Sequence, residues 1–253
     1  LALGNMYSCA RSYDVVKCWG WNGYGQLGDG TTSNRSVPTL VPGLVDVVEI
    51  SASGYFDGTG RNGAHTCARR VDGTMVCWGM DYYDHQYLVP PNTNFSSPTS
   101  IPDFADVAGI AAAAGQNCAR KTDGTLYCWG MNSSGQLGLG DTTHRGAPVQ
   151  VPLVNVAQLI LGGYTTCAQR NDGTVKCWGS NNYGQFGDGT TTSRSSPTAV
   201  PGLGGLSAIA LGDSHGCGLS SELGVVCWGN NANGQLGDGT ITAHLTPANV
   251  IWP

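Results

Sequence analysis

The chain has 253 residues, 39 of them glycine, only 11% charged, and a formal net charge of −5 at pH 7. Glycine destabilises a helix interior by about 1 kcal/mol relative to alanine, so this composition excludes helical bundles and coiled coils, and evenly spread apolar residues, 40% of the total, exclude a long charged disordered tail. No run of Lys or Arg suits a phosphate backbone or an anionic membrane surface, and no apolar stretch approaches the roughly 18 residues of a membrane span, so the expectation is an all-β chain with no nucleic-acid partner and no membrane insertion.

Taken in chain order, one plan recurs five times. The tripeptide Cys-Trp-Gly begins at Cys18, Cys77, Cys128, Cys177 and Cys227, at spacings of 59, 51, 49 and 50 residues. The first copy opens on Leu1-Ala2-Leu3-Gly4, the tail of an apolar strand, and runs through Cys18-Trp19-Gly20 to the loop Gly25-Gln26-Leu27-Gly28-Asp29-Gly30. The second departs most: Tyr55 to Arg61 is inserted before Cys67, and Met80-Asp81-Tyr82-Tyr83-Asp84-His85-Gln86-Tyr87 replaces the glycine-rich loop. The third restores that loop around Gln136, and the fourth shows the whole plan: Leu159-Ile160-Leu161-Gly162, Thr166-Cys167-Ala168, Asp172-Gly173-Thr174, Val175 to Gly179, Gly184 to Gly189, and Ser196-Pro197-Thr198. The fifth repeats it and ends on an outer strand near Thr246-Pro247-Ala248-Asn249-Val250. Asp-Gly and glycine-rich turns between short β-rich stretches predict about four strands per copy, since glycine supplies the positive φ such turns need. Repeats of this length predict a single β-propeller domain over 1–253, with five four-stranded blades near 1–44, 45–104, 105–153, 154–203 and 204–253. Each blade comes from one continuous stretch with no exchanged strand to latch first to last, which leaves open a ring closed by blade packing and an open array continued by more sequence or another subunit.

The ten cysteines fall as Cys9 with Cys18, Cys67 with Cys77, Cys118 with Cys128, Cys167 with Cys177 and Cys217 with Cys227, nine or ten positions apart. Asp72, Asp123 and Asp172 lie midway between their cysteines, as a three-residue hairpin loop requires, and the Cys9 and Cys18 spacing centres on a two-residue turn. Either geometry sets the pair opposite each other on adjacent antiparallel strands with Cα atoms about 4.5 to 5.5 Å apart, within disulfide range. Zinc sites usually use cysteines roughly two to four residues apart. The expectation is therefore five disulfides and an oxidising compartment: extracellular, cell surface or periplasmic.

The pattern Cys-Trp-Gly-x-Asn-x-x-Gly-Gln-Leu-Gly-Asp-Gly at residues 18–30, nearly repeated at 128–141, 177–189 and 227–239, resembles the repeat of the regulator-of-chromosome-condensation family, as does Ala210-Leu211-Gly212-x-x-His215-x-Cys217. The resemblance covers all five copies and implies a propeller, commonly seven-bladed in that family, where this chain offers five. The family includes an intracellular chromatin-bound exchange factor for a small GTPase, a role the acidic charge and paired cysteines argue against here. It also includes a secreted bacterial propeller that inhibits β-lactamase, and this chain looks like the secreted, disulfide-containing bacterial type.

Trp19, Trp78, Trp129, Trp178 and Trp228 recur beside the second cysteine and read as core aromatics packed between blades, as do Leu27, Leu137, Phe186 and Leu236 in the loops. The loop aspartates Asp29, Asp141, Asp188 and Asp238 supply one carboxylate each, too few for a calcium cage and well suited to turns, so no metal or cofactor is expected. His65 and His215 share a repeat position with Tyr7, Gln116 and Thr165, which suggests hydrogen bonding at a strand start. The chain has no Gly-x-Ser-x-Gly elbow, His-Glu-x-x-His helix or P-loop, and its two glutamates offer little for paired-carboxylate chemistry; the expectation is a protein that is not an enzyme. Variation is concentrated after Cys-Trp-Gly, where Trp21, Met80, Met131, Ser180 and Asn230 follow in turn. Trp21, Tyr24, Met80, Tyr82, Tyr83, His85, Tyr87 and Met131 are the candidate binding residues, because aromatics and Met are enriched at interfaces and aromatics stack on sugars.

These features lead to a secreted, non-enzymatic module that binds or scaffolds another protein or a surface glycan. One rival is a structural subunit of an extracellular fibre or coat that self-assembles through the edge strand near Val250, which Pro247 would blunt. The other is an enzyme inhibitor of the β-lactamase-inhibiting type. Sequons at Asn34, Asn94 and Asn132 read as chance in a chain rich in Asn and Ser.

Overall fold

The computed structural model describes residues 1–13, 15–56, 62–80 and 94–251. Their strands form five antiparallel four-stranded sheets, each made in sequence order from one stretch of chain, which is the five-bladed β-propeller class predicted. Blade 1 contains Ala2–Gly4, Tyr7–Ser12, Val15–Gly20 and Arg35–Leu40. Blade 2 contains Val47–Ala52, His65–Arg70, Met75–Gly79 and Phe95–Ser100, with a two-stranded ribbon, Tyr55–Phe56 against Asn62–Gly63, in its insertion. Blade 3 contains Val107–Ala113, Gln116–Lys121, Leu126–Gly130 and Arg145–Gln150. Blade 4 contains Val156–Gly162, Thr165–Arg170, Val175–Gly179 and Arg194–Ala199. Blade 5 contains Leu206–Leu211, His215–Ser220, Gly224–Gly229 and His244–Asn249. Among the described residues no helix is long and apolar enough to cross a membrane.

The turns follow from the residues placed in them. In blade 2 Asp72 Oδ1 accepts the Thr74 main-chain N–H at 2.9 Å and its hydroxyl at 2.7 Å, while Gly73 takes φ +80°, a left-handed value that a Cβ would penalise. Asp123 and Asp172 hold Thr125 and Thr174 in the same way. In blade 1 the pairing of Ser12 with Val15 leaves the two-residue turn expected. All five cysteine pairs are bonded, directly opposed across the second and third strands. Their Cα atoms are 4.1 to 4.2 Å apart, slightly closer than expected, at the short end of antiparallel spacing. Every fourth strand carries a proline, Pro38, Pro98, Pro148, Pro197 or Pro247. In all five blades the proline falls in the interval where the register with the third strand shifts, a place where no ladder N–H is needed.

The chain divides into two compact units, one of Leu1–Met131 with His144–Gln150, the other of Asn132–Thr143 with Val151–Pro253. Within the first, Cys9, Val16 and Cys18 of blade 1 pack with Ala68, Val76 and Trp78 of blade 2, and Cys67, Met75 and Cys77 of blade 2 pack with Ile110, Ala119 and Trp129 of blade 3. Within the second, Cys167, Val175 and Cys177 of blade 4 pack with Ile209, Val226 and Trp228 of blade 5. The joint is one design: the disulfide face of a blade covers the tryptophan face of the next. Trp78, Trp129, Trp178 and Trp228 are 0% exposed, as expected of core aromatics. Trp19 departs from that expectation and is only half-buried, because the tryptophan face of blade 1 is open.

Candidate functional site

The variable position is held by an invariant backbone. In all five blades the residue after Cys-Trp-Gly donates its main-chain N–H to a carbonyl just before the second strand: Trp21 to Met6, Met80 to Ala64, Met131 to Gly115, Ser180 to Tyr164 and Asn230 to Ser214, each at 2.9 Å. The side chain is therefore free to change while its anchor does not.

The loop that follows is built on a buried asparagine. Asn22 Oδ1 accepts from the Leu27 N–H at 2.9 Å, and Asn22 Nδ2 donates to the carbonyls of Thr31 and Ser33 at 3.0 and 3.1 Å. Asn132, Asn181 and Asn231 repeat these bonds, and all four are 0% exposed. A side-chain amide satisfies both a donor and two acceptors that the loop backbone leaves unpaired, which makes it the staple of the loop. The motif displays this asparagine, but its role is invisible until the loop closes around it. Because Asn132 is fully enclosed, its sequon is not a site for a glycan.

The loop aspartates are engaged within their own loops. Asp29 accepts from Thr31 and from Arg35 Nε, the latter at 2.6 Å. Burial pushes its carboxyl up, but the Thr31 and Arg35 bonds outweigh that and hold it below the usual carboxylate range. Asp188 with Thr190 and Arg194 repeats the arrangement. In blade 5 a histidine takes the place of the arginine: His244 Nε2 lies 2.7 Å from Asp238 Oδ2, and Asp238 is held at about 2, chiefly by the Thr240 N–H. Among the described residues no three His, Cys, Asp or Glu side chains gather as metal ligands do.

At the second-strand start, Tyr7, His65, Gln116, Thr165 and His215 all pair with the glycine of Cys-Trp-Gly. Tyr7 donates its hydroxyl to the His65 carbonyl at 2.7 Å, and Thr165 donates to the Ser180 carbonyl at 2.7 Å. His65 Nδ1 lies 2.7 Å from Ser53 Oγ and its Nε2 lies 2.9 Å from Asn117 Oδ1. With Asn117 Oδ1 as acceptor, Nε2 carries the proton and Nδ1 accepts from the serine hydroxyl. The Ser, His and Asn side chains are 3%, 2% and 1% exposed, which closes this relay to substrate and makes it a tie between blades 2 and 3.

Of the candidate binding residues, Trp21 and Tyr24 come together, ring centroids 5.1 Å apart and edge to face. Trp21 is half-buried against the core shared by blades 1 and 2. Met80 is half-buried at the equivalent place in blade 2, and Met131 is 9% exposed, so it contributes little surface. Tyr82, Tyr83, His85 and Tyr87 lie outside the described residues.

The regulator of chromosome condensation (RCC1) repeat signature matches residues 16–56, 123–169 and 172–219, and a second signature of the same repeat matches 156–185 and 207–235. The chain is 30% identical over 175 residues to the RCC1 domain-containing protein RUG3, mitochondrial, of Arabidopsis thaliana, an alignment that covers 65% of this chain and 38% of that protein. Human WBSCR16 superposes with a TM-score of 0.81 at 24% identity, over 99% of this chain and 66% of that one. Yeast RCC1 (Prp20), in its structure bound to Kap60, superposes at 0.77 and 22% identity, over 98% and 60%. This chain thus spans about two thirds or less of each of these proteins. With its signature matched over more than half its length, the chain belongs to the regulator of chromosome condensation (RCC1) repeat family.

Proposed function

We propose that this chain is a secreted, non-enzymatic β-propeller that binds another protein through the loops following Cys-Trp-Gly. The observation that carries the reading is the anchored variable position: five equivalent residues held by the same 2.9 Å bond, aromatic with Trp21 and Tyr24 in blade 1 and polar with Ser180 and Asn230 in the second unit. A constant scaffold that presents varied side chains is the usual basis of recognition on loops, and paired aromatics supply the rigid, low-entropy area that binding hot spots use. Five disulfides support an oxidising location, and extracellular release is the reading that fits them with a net charge of −5. The complex of yeast RCC1 (Prp20) with Kap60 is a precedent for protein binding on this fold.

The test is capture from the medium and surface extract of the producing cells on the immobilised chain, quantified by mass spectrometry. Trp21→Ala/Tyr24→Ala should lower the retention of a specific protein by at least about tenfold, equal to roughly 1.4 kcal/mol, with all disulfides intact. Equal retention by wild type and variant would sink the reading.

A further inference from the structure

The loop after Cys-Trp-Gly holds a second variable position, three residues beyond the first, where Tyr24, Ser134, Tyr183 and Asn233 stand in turn. Each donates its main-chain N–H to the side-chain Oε1 of the glutamine two residues on, Gln26, Gln136, Gln185 or Gln235, at 3.0, 2.9, 2.9 and 2.9 Å. Gln26, Gln136 and Gln185 are enclosed, at 0%, 0% and 3% exposure. The Nε2 of Gln26 and of Gln136 is buried without a partner among the described residues, so the bond to the variable residue is the polar contact that these side chains make.

The same glutamine fixes the loop to the next blade. The main-chain carbonyl of Gln26, Gln136 and Gln185 accepts the indole N–H of Trp78, Trp178 and Trp228, at 2.8 Å each time. One residue grips the neighbouring blade with its backbone and the variable residue with its side chain, so the variable side chain leaves the loop from a fixed point. Blade 4 shows what that point displays. Its first variable residue, Ser180, is 9% exposed, whereas Tyr183 is 55% exposed. Gly184, next in sequence, takes φ +79° and lies so close to blade 5 that a Cβ there would stand 2.5 Å from Leu245 Cδ2, where Gly25 and Gly135 meet Ser96 and Ser195 instead. Leu245 is itself 36% exposed, and both residues belong to one compact unit.

We propose that Tyr183 is a further contact for the protein partner, with Leu245 as its apolar shoulder and Gln185 as its positioning residue. The inference rests on the reading of these loops as the partner-binding surface and extends it to the second unit, whose first variable positions are polar. A tyrosine buries a large, rigid area with few rotatable bonds and keeps a hydroxyl for a hydrogen bond. The partner feature it fits is therefore an apolar side chain with a polar group at its edge, the apolar part set against the ring and Leu245 and the polar group paired with the phenol. A charged segment is disfavoured here, because the charges of this loop, Asp188 and Arg194, are paired with each other.

The capture assay that tests the loop reading also separates the two. Tyr183→Ala, a change at an exposed side chain, should lower retention of the protein that Trp21→Ala/Tyr24→Ala loses by at least about fivefold, with all disulfides intact. Undiminished retention by Tyr183→Ala, where Trp21→Ala/Tyr24→Ala loses the protein, would overturn this inference and leave the loop reading standing. A wild type that retains no protein, or variants that both retain it fully, would overturn both. Amide hydrogen exchange reads the positioning role without a partner. Gln185→Met keeps the volume and the main-chain carbonyl but removes Oε1, so exchange at Tyr183 should rise at least about tenfold, while Phe186, whose N–H is held by Asn181 Oδ1 at 2.9 Å, stays protected. Equal exchange at Tyr183 in the wild type and Gln185→Met would overturn the positioning role, as would a matching rise at Phe186, which marks a general loosening of the loop. If Gln185→Met does not fold, Gln26→Met reads the same role at Tyr24.

Discussion

His65 has both ring nitrogens occupied inside the protein, and that arrangement holds it neutral. Burial lowers its imidazole to about 4, against the Asn117 bond that raises it; the other titratable group beside it, Tyr7, is itself pushed well above its ordinary range by burial. A histidine with a depressed folded pKa binds its proton more readily when unfolded, so its contribution is complete above the unfolded value near 6.5 and is lost as pH falls from there toward 4. The shift corresponds to about 3 kcal/mol. Urea unfolding should show that loss between pH 7 and 4 in the wild type and a flatter profile in His65→Gln, which installs the residue that blade 3 uses at the same register, Gln116. Parallel profiles would refute it. The aspartates with lowered values lose their contributions only at more acid pH. Comparison of the copies predicts a hydrogen-bonding role for His65, because Tyr7, Gln116, Thr165 and His215 share its place. Its partners Ser53 and Asn117 are 12 and 52 residues away, and no spacing within one repeat points to them.

At the scale of the element, hairpins and disulfides are the most legible parts of the chain, because both are decided within about ten residues: an Asp-Gly-Thr turn sets the register, and the register sets the cysteines face to face. The buried asparagine staple is legible as a recurring letter and not as a function, since it binds carbonyls nine and eleven residues away whose positions depend on the closed loop. Each bridge closes a loop short enough that chain entropy assigns it roughly 2 to 3 kcal/mol. Removing the enclosed pair with Cys167→Ala/Cys177→Ala should cost that amount and a further increment for the cavity left in the core of blades 4 and 5. Cys217→Ala/Cys227→Ala, where Cys217 borders an open face, should cost the entropy alone. Chemical denaturation of the two double variants separates the contributions, and an equal or larger loss in blade 5 would contradict the assignment of its outer face as open.

For the whole molecule, the sequence reveals the number of blades and the content of each joint, because a repeat protein writes its nearest-neighbour contact once per copy. It does not reveal which copies of that contact are filled: Trp19 and Trp178 sit in the same Cys-Trp-Gly, and only the preceding loop distinguishes them. That difference has a measurable consequence. Trp178 is fully enclosed, bonded to the Gln136 carbonyl and pressed by Gly138, so Trp178→Phe removes a hydrogen bond, strands a buried carbonyl and leaves a cavity, a loss of roughly 2 to 4 kcal/mol. Trp19→Phe changes a half-buried ring beside an open hollow and should cost less than about 1 kcal/mol. Urea unfolding of the two variants reads the difference, and equal costs would contradict the half-buried setting of Trp19.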